Sequence, residues 1–137
     1  RNKGAKEKIA KYAAGLIEPG DFVYHIIRLR FLDKKPHLID ISYMPISLIP
    51  NLKLEHLKGS VYEYIEKVLK LKIQSCHLTI NAALSTPLEQ QYLELNEYEP
   101  YIQEEQISYL SNGAIFEYTL ARHHYADFEF QTIVVQQ

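Results

Sequence analysis

The chain predicts an α+β domain built on a mainly antiparallel β-sheet with a few flanking helices. Three observations carry that expectation. Apolar residues recur at period two along most of the chain, as in Val23, Ile27, Leu29, Phe31 and again in Ile39, Ile41, Tyr43. Turn signals, Asp33-Lys34-Lys35-Pro36 and Asn112-Gly113, fall between such runs and join them as hairpins. Helical spacing is confined to short stretches bounded by Pro or Gly, so strands outnumber helices.

In chain order, residues 5–16 read as an amphipathic helix, with Ile9, Tyr12, Ala13 and Leu16 on one face and Lys6, Lys8 and Lys11 on the solvated one. Pro19-Gly20 ends it. The hairpin that follows, Gly20 to Pro45, places Arg28 and Arg30 on the face opposite its apolar set, with Asp40 and Ser42 on the returning strand. The pairing that keeps both apolar sets on one side sets Arg30 opposite Asp40 and Arg28 opposite Ser42, and a slip of one residue would expose every apolar side chain. Two readings fit such a wall: a solvated face of ordinary ion pairs, or one side of an anion site.

After Pro45 the run ISLIPNLKLEHLKG has no clean period and reads as a packed loop with a short helical turn. Ser60 then caps a helix from Val61 to about Leu71, with Glu63 completing a capping box and Val61, Ile65, Val68 and Leu69 on the buried face. Helix starts attract anions because free N–H groups and the dipole point outward together. Ile73 to Leu84 alternates as a strand, and Thr86-Pro87-Leu88-Glu89 opens a short helix that Tyr98-Glu99-Pro100 breaks. Strands Tyr101 to Ser111 and Ala114 to Arg122 flank Asn112-Gly113, read as a type I′ turn. That register pairs Ser108 with Glu117, puts Gln106 beside them, and sends Tyr109, Phe116, Tyr118 and Leu120 to the other face. A last strand runs from about Phe128 to Val135.

A net charge of -2 gives this piece no electrostatic reason of its own to bind nucleic acid, and the single Cys76 excludes an internal disulfide. No apolar run reaches the roughly 18 residues a membrane span needs. His25, His37, His56, His77, His123 and His124 lack metal-ligand spacing, and Cys76-His77 cannot form a dyad because strand neighbours diverge. No metal or cofactor is expected.

The run RLRFLDKKPHLIDISYMP, followed by GSVYEYI and by SNGAIFEYTLARHHY, resembles the UTRA effector-binding domain of GntR-type (HutC-subfamily) bacterial transcription regulators. The resemblance covers about Ala5 to the chain end. It implies a fold akin to chorismate lyase and a single effector-binding domain over residues 1–137, with the winged-helix DNA-binding domain absent from this chain. It further implies a cytoplasmic homodimer that reaches DNA only through that missing domain and has no membrane partner.

For the site, the resemblance implies that Arg28, Arg30, Ser60 and Tyr62 hold the phosphate of a small effector, a phosphorylated sugar or similar anion. Asp40 and Glu117 would then bind its hydroxyls. The chain departs from the family pattern at Asp40, where sugar-phosphate binders usually carry glutamate, and at His123-His124-Tyr125-Ala126-Asp127 in place of an Arg-Gly-Asp-like segment. The fold likeness raises one alternative, a chorismate lyase-like enzyme acting on a small carboxylate. The residues offer binding groups without a nucleophile or acid-base pair, so the chain reads as a sensor and not as an enzyme.

Overall fold

The computed structural model describes residues 22–136, so the predicted helix over residues 5–16 and Pro19-Gly20 lie outside the described part. Among these residues β1 (Val23–Leu32), β2 (Lys35–Pro45), β3 (Ile73–Leu84), β4 (Pro100–Leu110) and β5 (Ile115–His124) form one antiparallel sheet in the order β1-β2-β5-β4-β3. Helical segments are short: α1 (Leu54–Lys58), α2 (Val61–Glu63, continuing as a π turn Tyr64–Val68) and α3 (Pro87–Leu93). The α+β, mainly antiparallel expectation is met.

Both faces of the sheet carry a core, because strand side chains alternate. On one face Ile39, Ile41, Tyr43, Ile107, Ile115 and Tyr118 pack with Leu93 at the end of α3. On the other, Met44, Ile26 and Phe116 pack with Ile49 and with Val61, Tyr64 and Ile65 of α2. Two tyrosines pin the chain between β2 and α2 over this second face. Tyr64 Oη donates to the Pro50 carbonyl at 2.7 Å, and Tyr24 Oη accepts from the Leu52 N–H at 3.2 Å.

The β1–β2 hairpin closes more tightly than expected. Asp33 and Lys34 take positive φ, 51° and 67°, so Leu32 pairs with Lys35 across a two-residue turn of the I′ kind rather than a four-residue one. A bulge between Arg30 and Phe31 gives back one residue, so the net register moves by two: Arg28 faces Asp40, Ile26 faces Ser42 and Arg30 faces Leu38. A shift of two preserves which face each side chain takes, so the charged wall survives the correction. Ile27 and Phe31, expected in the core, are instead 57% and 60% exposed, since β1 is an edge strand and α3 packs over β2 and β5.

Four further expectations are corrected. The Asn112-Gly113 turn is not of type I′. Gly113 alone takes positive φ, its N–H bonds the Leu110 carbonyl, and Leu110 N–H bonds the Ala114 carbonyl, which is a type I turn followed by a left-handed glycine. A bulge between Ser108 and Tyr109 restores the Ser108–Glu117 pairing and turns Phe116 onto the α2 side. Val68 is exposed, because Leu69 N–H reaches back to Tyr64 and Leu71 N–H to Ile65, and this wider winding rotates it away from the sheet. Phe128 to Val135 forms no strand; a 3-10 turn (Tyr125–Asp127) precedes an unpaired stretch.

One buried ion pair locks α3 to the sheet. Glu89, fully buried, accepts from Thr86 N–H and Oγ1 at 2.7 Å each, completing the capping box, while its other oxygen takes Arg122 Nη1 at 2.8 Å. Removing the carboxylate leaves Arg122 without its charge partner and uncaps the helix. Glu89→Ala should cost about 3 kcal/mol in urea unfolding, and Glu89→Gln, which keeps an acceptor for the cap, less.

Candidate functional site

Arg28 and Arg30 of β1, Met44 of β2, Gly59, Ser60, Val61 and Tyr62 at the start of α2, and Glu117 of β5 line one cleft of about 270 Å³. Five of the six residues expected to bind an effector thus meet: Arg28, Arg30, Ser60, Tyr62 and Glu117. The sixth, Asp40, is on the same sheet face but behind the arginines and outside the lining. The cleft lies over a polar band that crosses the sheet, from Arg28 through Asp40 and Ser42 to Thr119 and Glu117 and on to Gln106 and Ser108.

At one end of the band a helix start meets the sheet. Ser60 Oγ accepts from Glu63 N–H at 3.2 Å, and the N–H groups of the first turn have no intrahelical acceptor. At the other end Arg28 Nη2 donates to Asp40 Oδ2 at 3.2 Å and Nη1 to the Leu57 carbonyl at 3.3 Å, tying the sheet to α1. Arg30 Nε stands 3.8 Å from the same Asp40 oxygen, and its side chain is 48% exposed, twice the 23% of Arg28.

Glu117 sits on the floor. It is 7% exposed, and one of its oxygens accepts Tyr62 Oη at 2.5 Å, Ser108 Oγ at 3.0 Å and Gln106 Nε2 at 3.4 Å. Gln106 Nε2 also donates to Tyr62 Oη at 3.0 Å and to Ser108 Oγ at 3.1 Å. Gln106 and Ser108, placed beside Glu117 by the hairpin register, are therefore its supports. Tyr62 stands edge-on to Phe116, with ring centroids 5.8 Å apart. Burial first, then the charge of Glu117 and its hydrogen bond, push the Tyr62 phenol far above its ordinary value.

Such an arrangement binds rather than reacts. Guanidinium groups and a helix start offer donors to an anion, and a few ångströms away a carboxylate offers an acceptor to a hydroxyl or amine. The histidines stand apart: His123 Nε2 meets Glu104 at 2.5 Å and His37 lies 3.9 Å from Asp127. Among the described residues no group of three or more His, Cys, Asp or Glu could hold a metal ion. Nor is any helix among them long and apolar enough to cross a membrane.

The sequence model of one family, described as the UTRA domain, matches residues 5–129. The chain belongs to the UTRA family. Its membership places it among the effector-binding domains of GntR-type transcriptional regulators, not among enzymes. The HTH-type transcriptional regulator GmuR of Bacillus subtilis (strain 168) is 33% identical over 115 residues, 84% of this chain and 48% of GmuR. A crystal structure of a GntR-family transcriptional regulator from Bacillus cereus superposes with a TM-score of 0.84 at 35% identity, covering 94% of this chain and 89% of that one. The effector-binding domain of the B. subtilis trehalose repressor (TreR) matches with a TM-score of 0.80 at 27% identity, over 96% of this chain and 90% of that one. The UTRA chain spans about half the length of the curated relatives it matches.

The raised Tyr62 phenol carries a sign. A folded-state value above the unfolded one favours the fold below the unfolded value, near pH 10, and that share of stability is lost as pH rises toward the folded value. Urea midpoints of the wild type should therefore fall more steeply between pH 9 and about pH 11 than those of Tyr62→Phe, which has no phenol to ionise. Parallel curves would mean that the Tyr62 phenol is neither buried nor held by Glu117 in the folded protein.

Proposed function

We propose that this UTRA domain senses a small anionic metabolite, a sugar phosphate or an anion of that kind, and passes the signal to a winged helix-turn-helix domain elsewhere in the whole protein. The observation that carries the reading is the convergence of Arg28, Arg30, the Ser60 helix start, Tyr62 and Glu117 on one cleft. The arginines and the helix start take the anionic group, and Glu117 takes a hydroxyl. Juxtaposed acceptor and donors favour a polyol carrying a charge over a bare anion, and the relative named a trehalose repressor supports a carbohydrate. A cytoplasmic protein is the natural setting for such a regulator. The likeness to the chorismate lyase fold belongs to this proposal too, and rests on family resemblance.

Calorimetry with sulfate and glucose 6-phosphate tests the division of labour. Arg30→Ala should weaken both by roughly 1.5–3 kcal/mol, the scale of a charge-assisted hydrogen bond. Glu117→Gln keeps the shape and removes the charge, so it should weaken glucose 6-phosphate by about 1 kcal/mol and leave sulfate alone. Equal losses in Glu117→Gln would place Glu117 outside the sugar site.

The same proposal includes a homodimer, as DNA half-sites are matched by two-fold proteins. It is supported by β3, an edge strand from Ile73 to Leu84 with no Lys, Arg, Asp, Glu or Pro to blunt it and with Leu78 and Ile80 exposed. Sedimentation at micromolar concentration should give a dimer, and Ile80→Lys a monomer. A variant that stays dimeric would move the interface off β3.

A further inference from the structure

We propose that Asp40 is a positioning residue for the two cleft arginines rather than an effector ligand. The inference rests on the effector-site reading above and redistributes its roles.

Geometry points this way from three sides. Across the β1–β2 ladder Asp40 lies directly opposite Arg28 and diagonal to Arg30, which faces Leu38. One oxygen, Oδ2, serves both guanidinium groups, at 3.2 Å from Arg28 Nη2 and 3.8 Å from Arg30 Nε. The other, Oδ1, accepts Ser42 Oγ at 3.1 Å, and Ser42, 1% exposed, is held in turn by Thr119 Oγ1 at 3.0 Å. Both oxygens are thus engaged. On the flank away from β1, Asp40 faces Ala121, which brings no competing polar group.

Reach agrees with this. An aspartate carboxylate stays close to the sheet, whereas arginine side chains extend well beyond it, so Asp40 contacts the guanidinium groups from below and leaves the lining to them. Two like charges on one strand at i and i+2 repel, and each arginine has many rotamers in which it points to solvent. A carboxylate between them removes the repulsion and selects the rotamers that face the cleft. Arg28, further fixed by the Leu57 carbonyl, becomes the anchored member, and the more exposed Arg30 the one that meets the anion.

The three possible roles of Asp40 differ in the sign and pattern of Asp40→Asn. As a positioning residue, its loss weakens sulfate and glucose 6-phosphate by the same factor, about tenfold, even though a negative charge near an anion has been removed. A gain for both ligands would make Asp40 a mere counter-charge, and a loss confined to glucose 6-phosphate would make it a hydroxyl ligand; either overturns the proposal. Asp40→Glu should recover part of the affinity. Ser42→Ala, which loosens the carboxylate without changing charge, should lower affinity for both ligands by a smaller common factor.

A ligand-free measurement separates this proposal from the effector reading. In nitrogen-15 spectra of the wild type, the Arg28 guanidinium should show slow rotation and a well-dispersed Nε–Hε resonance, both lost in Asp40→Asn. If that ordering is the same in the two proteins, positioning is refuted whatever binds. If wild type orders Arg28 but binds neither anion, the effector reading fails while positioning stands.

Discussion

Charged side chains that are only half in water need partners, and the partners available to a strand residue are those its register supplies. In this UTRA domain the tight Asp33-Lys34 turn and the bulge between Arg30 and Phe31 together set Arg28 across from Asp40, and every polar group toward Glu117 follows from that alignment. The sheet can carry such a band because its apolar residues cluster elsewhere: one core lies under α3 on the opposite face, and the second lies beside the band, between the strands and α2. The band occupies the part of that second face which the helical cover leaves open.

Within the band, the degree of order is graded. Glu117 is held by three donors on one oxygen and is nearly out of solvent, so its geometry is set before any ligand arrives. Arg28 is tethered at two nitrogens, and Arg30 by one long contact. A fixed acceptor at the floor and a more exposed, loosely paired cation at the rim suit a site that recognises shape at one end and captures charge at the other. The tie from Arg28 to Leu57 also links the cleft to α1, and so to the segment that β2 and α2 share.

Much of the site was legible because side-chain face has period two. The β1–β2 register was expected two residues away from where it lies, yet Arg28, Arg30 and Asp40 kept their face, and Ser108 met Glu117 although the turn between their strands is of another type. Tyr62 entered through family resemblance, and its bond to Glu117 joins two parts of the chain that no local pattern connects. What alternation does not encode was missed. Phe116 changed sides at a bulge, Val68 turned outward at a π turn, and Ile27 and Phe31 lost cover at a sheet edge. Asp40 was legible as a member of the wall but not as the group behind the arginines, since reach and competition for its two oxygens exist only in three dimensions.

In the proposed site one anion is held jointly by Arg30 and the Ser60 helix start. Anomalous diffraction from crystals soaked in selenate reads this directly. A selenium peak within hydrogen-bond reach of the Arg30 guanidinium and of the first N–H groups of α2 is predicted. A cleft without a peak, or one whose selenate sits on other residues and leaves Arg30 and the helix start unoccupied, would contradict it.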